Sequence, residues 1–169
     1  MSGSAPSPRV VRDASVTEGT DRELERLYRE HGARLFRALV AYTGDREVAS
    51  DAVAEAFAQA LGRGEEIRSA LAWVWRASFR IAAGTLKERG RQDPLGKELS
   101  YEMPEPPREL IGALVELSPK QRAALILRFY VGYPTREVAE ILGSSPATVR
   151  VHLSQGRRRL RKMLEDNDG

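Results

Sequence analysis

Cysteine is missing from all 169 residues, which excludes disulfides, thiol catalysis and thiolate metal sites. Histidine occurs only as His31 and His152, too few and too distant in sequence to build a metal centre. No cofactor or metal is therefore expected. No run approaches the ~20 apolar residues of a membrane span, and Met1 to Thr20 lacks an apolar signal core. These absences point to a cytoplasmic protein. Strand-like alternation is also missing, and no nucleophile, base and orienting group cluster along the chain. The expectation is an all-α protein without a catalytic centre.

Charge, by contrast, is plentiful. Charged residues make up 30% of the chain and aromatics only 7%, as in helical proteins with a thin core. The net charge of +3 says little by itself; its location says more. Arg150, Arg157, Arg158, Arg159, Arg161 and Lys162 fall between Val149 and Met163 with no acidic residue among them. Such a run on one helix is the electrostatic footprint of a phosphate-binding surface. A solvated basic face is the plainer explanation for an isolated run, but this run sits inside a second pattern.

Apolar spacing marks the helices. Residues 1–19 read as a disordered tail. Thr20-Asp-Arg-Glu23 matches a capping box, and Leu24, Leu27, Tyr28, His31, Leu35 and Leu39 follow as one buried stripe. Gly44 stops that helix and Asp45 caps the next, whose stripe runs from Val48 to Leu61. Gly62-Arg-Gly64 ends it. A third helix starts near Ser69 and buries Leu71, Trp75, Ser78, Ile81 or Ala82, and Leu86. From Gln92 to Pro107, Pro94, Gly96, Pro104, Pro106 and Pro107 forbid a continuous helix. This stretch reads as a flexible linker between two small helical domains, spanning 20–91 and 108–165, with a short tail at 166–169.

The second half is punctuated clearly. Leu110, Ile111, Leu114 and Val115 mark a short helix. Ser118-Pro-Lys-Gln121 supplies an N-cap, a proline at the first helical position and a capping-box glutamine. The helix that follows buries Ile126, Leu127 and Tyr130, and Gly132 closes it. Thr135 caps a short helix with Val138, Ala139, Ile141 and Leu142, ended by Gly143. Ser145 and Pro146 open the last helix, with an inner stripe of Val149, Leu153, Gly156, Leu160 and Leu164. Two helices joined by a glycine turn form a helix-turn-helix. Its recognition helix enters the major groove. Arg150 can then bond a guanine edge, Gln155 an adenine edge, and Val151 a thymine methyl. Arg157, Arg158 and Arg161 would hold phosphates.

At these residues the chain resembles a known family. Leu117 to Leu164, with Glu137-Val-Ala-Glu-Ile-Leu-Gly143 and Thr148-Val-Arg-Val-His-Leu153, resembles region 4 of the extracytoplasmic-function (group IV) sigma factors. Leu27-Tyr-Arg-Glu-His31, Gly44-Asp-Arg-Glu47, Asp51 to Phe57 and Ala72-Trp73 resemble their region 2. The resemblance covers about residues 22–164. It implies that region 4 reads the −35 promoter element and sits on the β flap of RNA polymerase core, and that region 2 binds the β′ clamp helices and opens the −10 element. Arg150, Val151, Ser154 and Gln155 match the base-reading positions. Arg136, Thr148 and His152 join the later arginines as phosphate contacts. Trp73, Arg76 and Arg80 fall in the −10 region, and Asp51 and Glu55 on the clamp-facing helix. An anti-sigma partner is implied as well.

Region 2 departs from the family pattern. Ala54 replaces a usual glutamine, Leu61 a tryptophan, Arg80 an asparagine and Gly84 an aspartate. The loop from Gly62 to Ser69 is several residues short. A flipped base requires a fitted pocket, so these changes bear on −10 recognition and leave the −35 assignment intact. Trp73 and Trp75 together resemble a stacking platform for unpaired DNA, with Trp75 the better fit to the core. His31 reads as a packed residue rather than a ligand. Ser50 stands where the family often has a carboxylate, and phosphate there would restore the charge. Two other readings compete: a DNA-binding regulator that does not engage core polymerase, and a helical interaction module without DNA.

Overall fold

In a computed structural model, the described residues are 14–92 and 108–169. Seven helices occur among them and no strand. Helices α1 (Ala14–Thr43), α2 (Arg46–Arg63) and α3 (Ala70–Gln92) form the first bundle. Helices α4 (Arg108–Val115), α5 (Pro119–Leu125), α6 (Thr135–Leu142) and α7 (Pro146–Asn167) form the second. Between α5 and α6, Ile126–Val131 continues the helix with a wider, π-type turn. The proline-rich segment expected to link the domains falls largely outside the described residues.

The first bundle is held by the stripes that the spacing picks out. Leu24, Leu27, Leu35 and Leu39 of α1 pack with Val48, Val53 and Phe57 of α2 and with Val74, Trp75 and Phe79 of α3. Trp75 is fully buried, 0% exposed, and stacks on Phe79, which meets Tyr42 edge-on. The turn into α2 is specified locally. Gly44 adopts φ +68, a left-handed value that glycine takes without a Cβ clash. Asp45 then accepts hydrogen bonds from the amides of Glu47 and Val48 (2.9 and 3.1 Å), satisfying two otherwise free donors. Its second oxygen takes Arg89 Nη1 of α3 at 2.7 Å.

Several expectations are corrected. Helix α1 begins at Ala14, so Thr20 lies inside it rather than at its N-cap; residues 14–19 are helix, not tail. Tyr28 is exposed rather than on the buried stripe, its ring edge-on to Phe57. Tyr130 is exposed too, because the π-type turn rotates it off the inner face. Pro134, not Thr135, occupies the N-cap of α6, with no side-chain cap. Ser118 does accept the Gln121 amide, but the Gln121 side chain does not return to it.

The two bundles pack on each other. Helix α6 lies against α3, while α4 and the π-type turn lie against α1. Arg122, only 7% exposed, holds this seam. Its Nη1 donates to the Tyr42 carbonyl at the end of α1 (2.9 Å). Its Nη2 donates to the Val115 and Leu117 carbonyls at and beyond the end of α4 (3.1 and 3.2 Å). One planar fork thus serves carbonyls at two helix C-termini, where the helix dipole favours a cation. The guanidinium also lies 4.9 Å from the Tyr42 ring. Burial raises the pKa of Tyr42, partly opposed by the nearby Arg122 charge. The Trp75 ring meets Tyr133 edge-on across the same seam.

Candidate nucleic-acid interface

The recognition helix is built from its N-terminus. Ser145 caps α7 by accepting the Thr148 amide at 3.1 Å, and Pro146 follows at the first helical position. Val149, Leu153 and Gly156 face inward and are buried. Gly156 permits close approach: a Cβ there would stand 3.1 Å from Leu125 Cδ1. Gly143, at φ +62, closes α6 and turns the chain into α7. Helices α5, α6 and α7 pack together as the helix-turn-helix requires.

The opposite face of α7 collects the residues expected to touch DNA. Arg150, Val151, Ser154 and Gln155 are all exposed, Val151 at 52%. A single exposed valine is ordinary on a protein surface, and its methyl groups are also of the kind that can meet a thymine methyl. Arg157, Arg158 and Arg161 continue the face, and Arg136 is exposed on α6. Two assigned phosphate contacts differ in surroundings. The Thr148 hydroxyl lies 2.9 Å from Ser145 Oγ, within the cap. His152 is only partly exposed, and its Nδ1 is buried without a hydrogen-bond partner. Its ring sits toward the inner side of the helix.

Sequence reasoning missed Phe129, which is 56% exposed and lies under two guanidinium groups. Arg128 and Arg157 stand 5.4 and 5.3 Å from its centroid, so the ring helps to orient both guanidinium groups through cation–π attraction. The signal was an aromatic pair at a helix end, Phe129 and Tyr130, of which the spacing reads only Tyr130, as core. Gln121, read as a capping residue, instead reaches α7 and meets Gln155 and Arg159.

The other sequence-assigned residues lie on the first bundle. Trp73, Arg76 and Arg80 recur at three and four residues along α3. Trp73 is partly exposed under Arg63, 5.6 Å away. It lines an open cleft of about 470 Å³ with Ile67, Arg68, Ser69, Arg76 and, from the second bundle, Glu140. Arg76 lies against the turn of the helix-turn-helix, so that a Cβ on Gly143 would fall 2.5 Å from its Nη2. Asp51 and Glu55 are exposed on α2, and Glu55 accepts Gln59 Nε2 at 2.8 Å. A second cleft of about 660 Å³ between α1 and α2 includes Tyr28, Phe36, Ser50 and Ala54. Among the described residues no cluster of histidine and carboxylate groups is arranged to hold a metal ion, and no helix is long and apolar enough to cross a membrane.

This geometry has relatives. Residues 108–160 match the family described as sigma-70, region 4. The ECF RNA polymerase sigma factor SigL of Mycobacterium tuberculosis is 30% identical over 158 residues, covering 83% of this chain and 88% of that protein. The chain belongs to the ECF RNA polymerase sigma factors. The RNA polymerase sigma-E factor of Streptomyces antibioticus is 29% identical over 163 residues, with 90% and 91% covered. Two solved structures share the fold of this sigma factor at 20% identity and a TM-score of 0.70. One is CnrH in complex with the cytosolic domain of CnrY, with 90% of this chain and 94% of that chain covered. The other is the sigma factor RpoE in complex with the anti-sigma factor NepR from Bartonella quintana, with 85% and 98% covered. The sigma factor is thus a promoter-recognition subunit, and the helix-turn-helix is its region 4.

Proposed function

We propose that this protein is a cytoplasmic group IV sigma factor that binds RNA polymerase core and brings it to promoters through two separate DNA surfaces. Region 4, residues 108–165, reads the −35 element with Arg150, Val151, Ser154 and Gln155. Arg136, Arg157, Arg158 and Arg161 fix its register on phosphates, with Thr148 and His152 as lesser contacts. Region 2, residues 20–91, takes the −10 strand along Trp73, Arg76 and Arg80. Asp51 and Glu55 meet basic residues of the β′ clamp helices, supplying orientation and on-rate, while region 4 docks on the β flap. Bond formation belongs to the polymerase, so the chain itself is no enzyme. An anti-sigma protein is its natural antagonist.

The carrying observation is the α7 face: exposed base-reading side chains at the N-terminal half and unopposed arginines behind them. Purified protein with core polymerase should yield discrete transcripts from a promoter library, sharing upstream and downstream motifs. Arg150→Ala should lower −35 binding by about tenfold or more and relax one base position. Arg157→Ala should weaken all sequences alike and reduce the salt slope by about one. DNA binding without core-dependent initiation would instead support the regulator reading, with the region 2 departures as its cause.

A further inference from the structure

Behind the reading face lies a relay of polar side chains that begins on a backbone oxygen. Arg159 Nη2 donates to the Glu116 carbonyl just beyond α4 (3.2 Å), which anchors the guanidinium. Arg159 Nη1 donates to Gln121 Oε1 (3.4 Å). Gln121 Nε2 then donates to Gln155 Oε1 (3.3 Å). Gln121 is 9% exposed, its backbone amide is fixed by Ser118, and its Cβ lies against Gly156.

The direction of this relay is set by chemistry. Arginine has five N–H donors and no acceptor. Whatever amide group faces Arg159 must therefore be the oxygen of Gln121, which leaves the Gln121 nitrogen facing Gln155. Only the Gln155 oxygen can receive it. The Gln155 side chain is exposed, and with its oxygen drawn toward α5 its nitrogen is the end left for DNA.

We propose that Gln121 is a specificity-determining residue, turning Gln155 so that it presents an N–H donor to the major groove and reads an acceptor edge. The proposal rests on the reading of the α7 face as the −35 surface. Acceptors in the groove are purine N7, guanine O6 and thymine O4, whereas cytosine offers the N4 donor. Bidentate pairing of glutamine with adenine uses oxygen and nitrogen together, and the relay withdraws the oxygen. Gln155 therefore excludes cytosine without selecting adenine over guanine. That differs from the adenine preference expected of an unrestrained glutamine.

Gln121→Glu reverses the relay. A carboxylate still accepts from Arg159 but has no donor, so it accepts the Gln155 nitrogen and turns the Gln155 oxygen outward. The full-length protein would be incubated with a library of short duplexes randomised through the recognised sequence, and the bound fraction sequenced. The position that loses preference in Gln155→Ala identifies the base pair read by Gln155. There the unaltered protein should disfavour cytosine by about tenfold against the other bases. Gln121→Glu should favour cytosine and adenine over guanine and thymine by a similar factor, and Gln121→Leu should restore the adenine preference. A packing role for Gln121 would lower every affinity together and leave the ranking alone. Identical ranking in the unaltered protein and Gln121→Glu, with Gln155→Ala still erasing preference at that position, overturns the proposal and spares the −35 reading. A library in which nothing is enriched, or in which Arg150→Ala and Gln155→Ala change nothing, sinks both.

Discussion

Arg122 shows how one side chain can do work that its sequence context conceals. It sits in a run that reads as an ordinary helix start, yet its guanidinium ends buried at the meeting of two helix C-termini. Removing the cation leaves three carbonyl groups short of a donor, two of them in buried hydrogen bonds, and buried polar groups so stranded are costly. Arg122→Leu should destabilise the protein by about 3 kcal/mol in urea unfolding. Arg122→Lys should recover only part of that, since a point charge cannot span the fork. A loss below about 0.5 kcal/mol for Arg122→Leu would mean that the seam relaxes to let water in. The lesson of Gln121 is similar: a residue of the right type at a capping position was assigned locally, and a partner 34 residues away took it instead.

At the scale of elements, Asp45 couples two jobs at the start of α2. Asp45→Ala removes both the amide cap and the partner of Arg89, and should cost about 1–2 kcal/mol. Asp45→Asn keeps the cap oxygen and should recover most of this, because the partly exposed ion pair contributes little, roughly 0–1 kcal/mol. Chemical denaturation of the two variants separates the terms. Equal losses would show that the ion pair dominates. Helix positions were legible in the sequence wherever a turn has a dedicated residue: Gly44 with Asp45, Ser118 with Pro119, Gly143, and Ser145 with Pro146. They were less legible where tertiary contact decides. The start of α1 was read at the Thr20-Asp-Arg-Glu23 pattern, inside a helix that begins at Ala14, and the π-type turn that exposes Phe129 and Tyr130 leaves no mark in apolar spacing. The exposed face of α7 was legible for the same reason as the helices, since one buried stripe fixes what points the other way. The relay behind it was not, because it joins α5 to α7.

For the whole molecule, the arrangement of the two halves matters more than either half. The sequence separates them clearly but says nothing of their contact, which depends on surfaces distant along the chain. In the closed arrangement Glu140 lines the Trp73 cleft and Arg76 rests on the Gly143 turn. The −35 and −10 elements are about 25 base pairs apart, roughly 85 Å of duplex at about 3.4 Å per step. On the proposed assignment, two surfaces held on one packed unit cannot reach both elements at once, so the seam is expected to part when a promoter is engaged. The absence of cysteine gives a clean test. Dyes placed through Ala58→Cys on α2 and Lys162→Cys on α7 should show high energy transfer in the free protein and a fall with core polymerase and promoter. Tyr133→Ala, which removes the edge contact to Trp75, should lower the transfer without any partner. Low transfer in the free protein, unchanged by Tyr133→Ala, would show that the halves are already apart in solution.

The contact between Arg76 and the Gly143 turn also bears on where free molecules spend their time. A chromosome offers about 10⁶–10⁹ competing sites, and a basic face such as that of α7 adheres to all of them weakly. With Arg76 of the proposed −10 surface held against the Gly143 turn, such an encounter is made with one surface, and apparent affinity through the other is scaled down by the fraction of molecules that are open. Residence on bare DNA should then stay short, and polymerase should meet its subunit in solution rather than scattered along the genome.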